Sequence, residues 1–245
     1  MKWHTEWELI SLLSMLKNLD WVQKHGIELI GEVSGTIASR EYLEKLTKRD
    51  GKNRVWMVGD TLSAAIGQSY NSFTPIQMAY YIATLANGGV KNEVSLIKQV
   101  ITSSGESECG EKIKATVEKK IGKVDVETGN LGISDQVIKT VFEGMRSVTS
   151  DRGGTAYSTF SSFPIEVAGK TGTATASSGS PNAWFVGFAP YDDPEIAVVC
   201  VIEHGGHGGY TAPAVKEVME EYFGYNNANI DEDMKIKSIN EMILD

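Results

Sequence analysis

Three short apolar runs crowded late in the chain, at 165–173, 183–189 and 195–202, constrain its fold more than any other feature. Each is rich in β-branched, aromatic or small residues and ends in turn residues, which is the pattern of strands. The short link between the last two favours antiparallel neighbours. A helix at about 213–223 follows them, and a polar tail occupies 226–245. Upstream the pattern is helical. Thr74-Pro75-Ile76-Gln77 is a helix start, with Thr as N-cap, Pro at the first helical position and Gln completing a capping box. That helix runs to about Leu85 and stops at Asn87-Gly88-Gly89, residues suited to a left-handed cap. Ser134 caps a second helix to about Ser147, with Val137, Val141, Phe142 and Met145 on one face.

The remaining segments read less sharply. Residues 3–24 form an amphipathic pattern through Trp3, Trp7, Ile10, Leu13, Leu16 and Trp21, closed by Gly26. Gly31, Gly35 and Gly51 mark a loop-rich passage, while 96–102 and, more weakly, 116–124 read as strands. Helices first and clustered strands late predict an α+β domain, an antiparallel sheet flanked by helices. Three stretches follow: an N-terminal helix at 1–25, a main body at 26–225 and the tail at 226–245.

A chain of 245 residues, 41% of them hydrophobic, can bury one full core or two modest ones. Its net charge of -9 argues against nucleic acid or an anionic membrane surface as partner. Cys109 and Cys200 are too few for a disulfide framework; Cys200 lies in an apolar run and reads as a buried free thiol, and one bridge between the two stays open. No run reaches the length of about 18 apolar residues needed to span a bilayer. The stretch at 9–16 is closed by Lys17 and Asp20 and lacks the features of a signal peptide.

Lys170-Thr171-Gly172, followed by Thr173, is the most informative segment. On a strand, Lys170 and Gly172 share one face and Thr171 and Thr173 the other. Lys170 brings a positive charge, the threonine hydroxyls can bind a carboxylate, and Gly172 leaves room for an extended peptide to lie along the strand. The tripeptide matches one of three motifs of penicillin-binding proteins and serine β-lactamases, the others being S-x-x-K and S-x-N.

The surrounding blocks extend that match. Gly26-Ile27-Glu28-Leu29 with Gly31-Glu32, the run Gly59-Asp60-Thr61-Leu62-Ser63-Ala64-Ala65-Ile66-Gly67-Gln68, and Thr74-Pro75-Ile76-Gln77-Met78-Ala79 come in order. Asn87-Gly88-Gly89, Gly153-Gly154-Thr155-Ala156, Ala183-Trp184-Phe185-Val186-Gly187-Phe188-Ala189-Pro190 and Gly206-His207-Gly208-Gly209 continue them. From about 26 to 223 the chain resembles the C-terminal part of the transpeptidase domain of class B penicillin-binding proteins. The resemblance implies a D,D-transpeptidase that cross-links peptidoglycan stem peptides through an acyl-serine, which β-lactams also acylate. It places Lys170 in the nucleophile's hydrogen-bond network, Thr171, Gly172 and Thr173 against substrate, and the Thr173 N–H in the oxyanion hole. It implies no cofactor or metal, a parent protein on the extracytoplasmic face of the bacterial membrane, and wall-synthesis or division proteins as partners.

The other two motifs are expected to lie before Met1. Ser14-Met15-Leu16-Lys17 and Ser69-Tyr70-Asn71 fit their patterns but fall in the wrong places, and Ser180-Pro181-Asn182 reads as a turn. His204 and His207 lack the further ligands of a metal site. Trp184-Phe185 reads as core and cleft wall, and Asp151, Arg152 and Glu166 as surface or turn. The expected chain is therefore inactive alone, with apolar surface that residues 3–24 or self-association would cover. Two rivals remain: a complete β-lactamase-like enzyme using Ser14, and a non-catalytic binding module.

Overall fold

The computed structural model describes residues 22–92, 94–96 and 135–225. At its centre three strands, β1 (Ala168–Ala174), β2 (Asn182–Ala189) and β3 (Ile196–Ile202), form an antiparallel meander in the order β1-β2-β3. The register pairs Lys170 with Val186, Thr171 with Phe185 and Gly172 with Trp184. Strand alternation then divides the apolar residues into two faces. Ala168, Val186 and Phe188, with Ala197 and Val199 beside them, pack on α3 (Pro75–Ala86) and α4 (Asp135–Ser150) through Ile82 and Met145. Phe185, Ala189, Val198 and Cys200 face the other way, against α5 (Tyr157–Phe160) and α6 (Ala212–Tyr222), whose Val215 and Met219 are fully buried. The result is a helix–sheet–helix sandwich, the α+β arrangement expected from the sequence.

The start of α3 forms as its residues predict. The Thr74 N–H donates to Gln77 Oε1 at 2.9 Å, and the Gln77 N–H donates to Thr74 Oγ1 at 3.3 Å. Gln77 is 1% exposed and also donates from Nε2 to the Gln23 carbonyl at 3.0 Å, binding residues 22–36 to the base of this helix. Its C-terminus differs from expectation in one respect: Asn87 has φ of -90°, and the left-handed positions belong to Gly88 and Gly89.

The passage read as loop-rich contains a helix, α1 (Arg40–Asp50), and a second, α2 (Val58–Ala65), lies just beyond it. Ser39 caps α1 by accepting the Tyr42 N–H at 3.1 Å, and Gly51 ends it in the left-handed region at φ 69°. Helix α1 buries only Leu43, so its apolar periodicity is faint and its ends carry the signal. A small cluster of Ala38, Leu43, Trp56 and Ala64 holds α1 and α2, with the Trp56 Nε1–H donating to Thr61 Oγ1 at 2.9 Å. Of the amphipathic pattern at 3–24 only 22–24 are described, and these are not helical. The strands read at 96–102 and 116–124 lie outside the described residues except for Leu96, and the polar tail lies wholly outside them. No described helix is long and apolar enough to cross a membrane.

Candidate active site

A cleft of about 890 Å³ opens between the outer edge of β1, helices α3 and α4, and the loop joining α2 to α3. Ile66, Met78 and Met145 give it apolar walls, and Lys170, Gly172 and Trp184 line its sheet side. Trp184 and Phe185 thus part company: the first borders the cleft, and the second, at 0% exposure, is core.

Strand geometry sorts the polar groups of β1. Lys170 and Gly172 stand on the cleft face, and the side chains of Thr171 and Thr173 on the opposite one. Thr171 is buried, and its hydroxyl shares a hydrogen bond of 2.8 Å with that of Thr155. Thr173 is exposed; its Oγ1 accepts the Gly208 N–H at 3.1 Å and keeps its own proton to donate elsewhere. Main-chain groups alternate as well. Lys170 Nζ donates to the Thr171 carbonyl at 2.7 Å, and Gln68 Nε2 donates to the Thr173 carbonyl at 3.3 Å. Both side chains reach these carbonyls from outside the sheet, so Thr171 and Thr173 turn their N–H and C=O groups away from β2, toward the open edge. One cation and two outward peptide units therefore share a single strand edge.

Sequence reasoning left out two residues of this site. Thr155 was visible only as part of a glycine-bearing turn, and Gln68 only as part of a block. No local pattern announces partners 16 and 105 positions away. The Thr155–Thr171 bond gives a direct test. Thr155→Val leaves the buried Thr171 hydroxyl without its partner and should cost about 1 kcal/mol in a urea melt. Thr155→Ser, which keeps the hydroxyl, should retain nearly all of that stability; a larger loss in Thr155→Ser than in Thr155→Val would show that methyl packing, not the bond, holds this contact.

The decoy motifs have structural employment elsewhere. Ser69 is exposed, in the left-handed region at φ 64°. Asn71 accepts the Ala38 N–H at 2.8 Å and donates to the Ala64 carbonyl at 3.0 Å, fastening α1 to α2. Asn182 Oδ1 accepts the His204 N–H, the Ser180 carbonyl lies 3.0 Å from His204 Nδ1, and His207 Nδ1 accepts the Gly209 N–H. Asp151 and Arg152 are exposed, and Glu166 pairs with Arg146, whose guanidinium lies over the Tyr191 ring. Cys200 is a partly buried free thiol, and burial pushes its pKa up. Ser14, Lys17 and Cys109 lie outside the described residues.

A helix-covered antiparallel sheet whose edge strand presents K-T-G to a cleft is the arrangement of acyl-serine transpeptidases. Residues 8–220 match the family described as the penicillin binding protein transpeptidase domain, and the chain belongs to that family, within its class B. The peptidoglycan D,D-transpeptidase MrdA of Haemophilus influenzae is 29% identical over 227 residues, covering 86% of this chain and 32% of that protein. The crystal structure of Pseudomonas aeruginosa PBP2 in complex with WCK 5153 is similar at TM-score 0.64 and 32% identity, over 91% of this chain and 44% of the other. The complex between PBP2 and MreC from Helicobacter pylori shares the fold at TM-score 0.62 and 24% identity, over 91% of this chain and 38% of the other. The chain thus spans about a third of the length of the curated relatives it matches.

Proposed function

We propose that this chain supplies the K-T-G wall of a peptidoglycan D,D-transpeptidase, and that the serine which is acylated comes from outside it. The observation that carries this reading is the β1 edge, where Lys170 and the outward peptide units of Thr171 and Thr173 border one cleft. A stem peptide ending in D-alanine would lie along this edge as an added strand. Its terminal carboxylate would take the free proton of the Thr173 hydroxyl and the charge of Lys170. The Thr173 N–H would bind the carbonyl oxygen as negative charge develops there, a role whose loss typically costs ~10²–10³ in rate. A serine oxygen would attack that carbonyl, the terminal D-alanine would leave as its amine takes a proton, and an amine of a second stem peptide would displace the serine.

Two features support a nucleophile from elsewhere. Ser69 is exposed and is not one of the residues that line the cleft, and the Asn71 side chain is engaged with main chain. Val58 and Leu62 of α2 are 60% and 61% exposed on one face, which runs on to Ile66 at the cleft wall, a stripe suited to cover by the rest of a transpeptidase domain or by self-association. The natural setting would be wall synthesis on the extracytoplasmic face of the membrane, alongside proteins of the kind that MreC represents for its PBP2.

The test is acylation. Purified chain incubated with a fluorescent penicillin should show no covalent label on a denaturing gel or by intact mass. A serine hydroxyl is a poor nucleophile until a base takes its proton beside a waiting oxyanion hole. Stoichiometric labelling that disappears in Ser14→Ala would overturn the proposal and make the chain a complete enzyme.

A further inference from the structure

The geometry points to Gln68 as a removable cap on the peptide-docking edge of β1: its carboxamide holds the Thr173 carbonyl and must swing out before an extended ligand can pair there. This inference rests on reading that edge as the substrate edge. Gln68 Nε2 lies 3.3 Å from the Thr173 carbonyl oxygen and borders the cleft. The backbone fixes where the side chain starts. The Gln68 N–H donates to the Ser63 carbonyl at 2.9 Å, and the Gln68 carbonyl accepts the Asn71 N–H at 3.3 Å. Left-handed residues flank it, Gly67 at φ 82° and Ser69 at φ 64°. Ser69 carries a side chain in that region, a small strain in the turn that presents Gln68 to the cleft. The same loop is tied down at its far end, where Ser72 and Thr36 exchange hydrogen bonds of 2.7 and 2.9 Å.

An added strand bonds to the main-chain groups that face outward, which on β1 are those of Thr171 and Thr173. Each carbonyl already accepts one hydrogen bond, from Lys170 Nζ and from Gln68 Nε2, and Gln68 reaches the Thr173 oxygen from the open edge that a ligand N–H would also use. A ligand N–H aimed at the Thr173 carbonyl therefore exchanges one hydrogen bond for another and gains little until the cap leaves. A ligand without that N–H leaves Gln68 seated or leaves the carbonyl bare. Gln68 is thus a positioning residue that favours ligands able to replace its own bond, a form of selection by competition.

The experiment uses the full chain, ¹⁵N-labelled, and N-acetyl-D-alanyl-D-alanine as probe. In the free protein, Gln68→Ala and the volume-conserving Gln68→Met should both move the amide nitrogen resonance of Ala174, which shares its peptide unit with the Thr173 carbonyl. An unmoved Ala174 resonance overturns the cap. On titration, both variants should bind the dipeptide about three- to tenfold more tightly than the parent chain, as expected when one competing neutral hydrogen bond is removed. Equal affinity in all three proteins overturns the cap and leaves the substrate edge standing. Weaker binding by the variants also overturns it, since Gln68 would then contact the ligand directly. Absence of binding by all three overturns the substrate edge itself, and the cap's proposed role with it.

Discussion

Truncation of Phe185 to alanine should lower the unfolding free energy by about 3–5 kcal/mol. Phe185 sits at the middle of β2 with 0% exposure and stacks on Phe160 at 5.6 Å between ring centroids. The sheet is cut to fit this ring. A Cβ added at Gly169 would overlap its Cζ, and one added at Gly187 would come within 3.0 Å of its Cε1. Removing the ring leaves a hole that the glycines cannot fill and that neighbouring strands, paired through β1 and β3, cannot close. The midpoint of urea unfolding should fall with an unchanged slope, as for a pure loss of stability. A loss under about 1 kcal/mol would mean that the sheet collapses onto the site and fills the hole.

Gly208→Ala should be comparably damaging, at about 3 kcal/mol, and should act on the cleft as well as the core. Gly208 begins the 3₁₀ turn Gly208–Thr211 and lies against β1 so closely that an added Cβ would overlap the Gly172 carbonyl oxygen and crowd the Gly172 nitrogen. Both obstacles are backbone, so no side-chain rotation relieves them. The turn would have to lift from the strand, which also breaks the bond from the Gly208 N–H to Thr173 Oγ1. The expected signature is a lower melting temperature together with shifted amide resonances at Thr173. Gly153→Ala is the control, because nothing lies within 4 Å of the added carbon and its backbone angle is ordinary; similar losses in both variants would refute the steric account.

Much of this was legible because the informative features are local. The three strands begin and end within a few residues of their apolar runs, and Thr74-Pro75 with Gln77 marks the start of α3 through contacts between near neighbours. Lys170 and Gly172 fall on one face simply because strands alternate. Helices α1 and α2 were missed for a reason of the same kind. A helix that buries Leu43 alone has scarcely any apolar period, and Val58, Leu62 and Ile66 face away from the described core. Thr155 and Gln68 stayed hidden because their meaning resides in partners distant along the chain. Ser69-Tyr70-Asn71 shows the converse: a three-residue pattern can be met while its asparagine fastens backbone and its tyrosine packs on the core.

The division of the interior into separate clusters carries one more consequence. Both faces of the sheet are sealed by large buried clusters, whereas among the described residues α1 and α2 are held by the smaller cluster of Ala38, Leu43, Trp56 and Ala64. Regions with few buried contacts open at lower free energy than the whole molecule, as cooperative units. The α1–α2 unit is such a region, and it ends in the loop that carries Gln68. Partial opening of this unit would widen the cleft while the K-T-G strand stays zipped to β2. In hydrogen-exchange terms, one wall of the cleft should be a slow clock and the facing wall a fast one, letting the protein breathe around a fixed ruler.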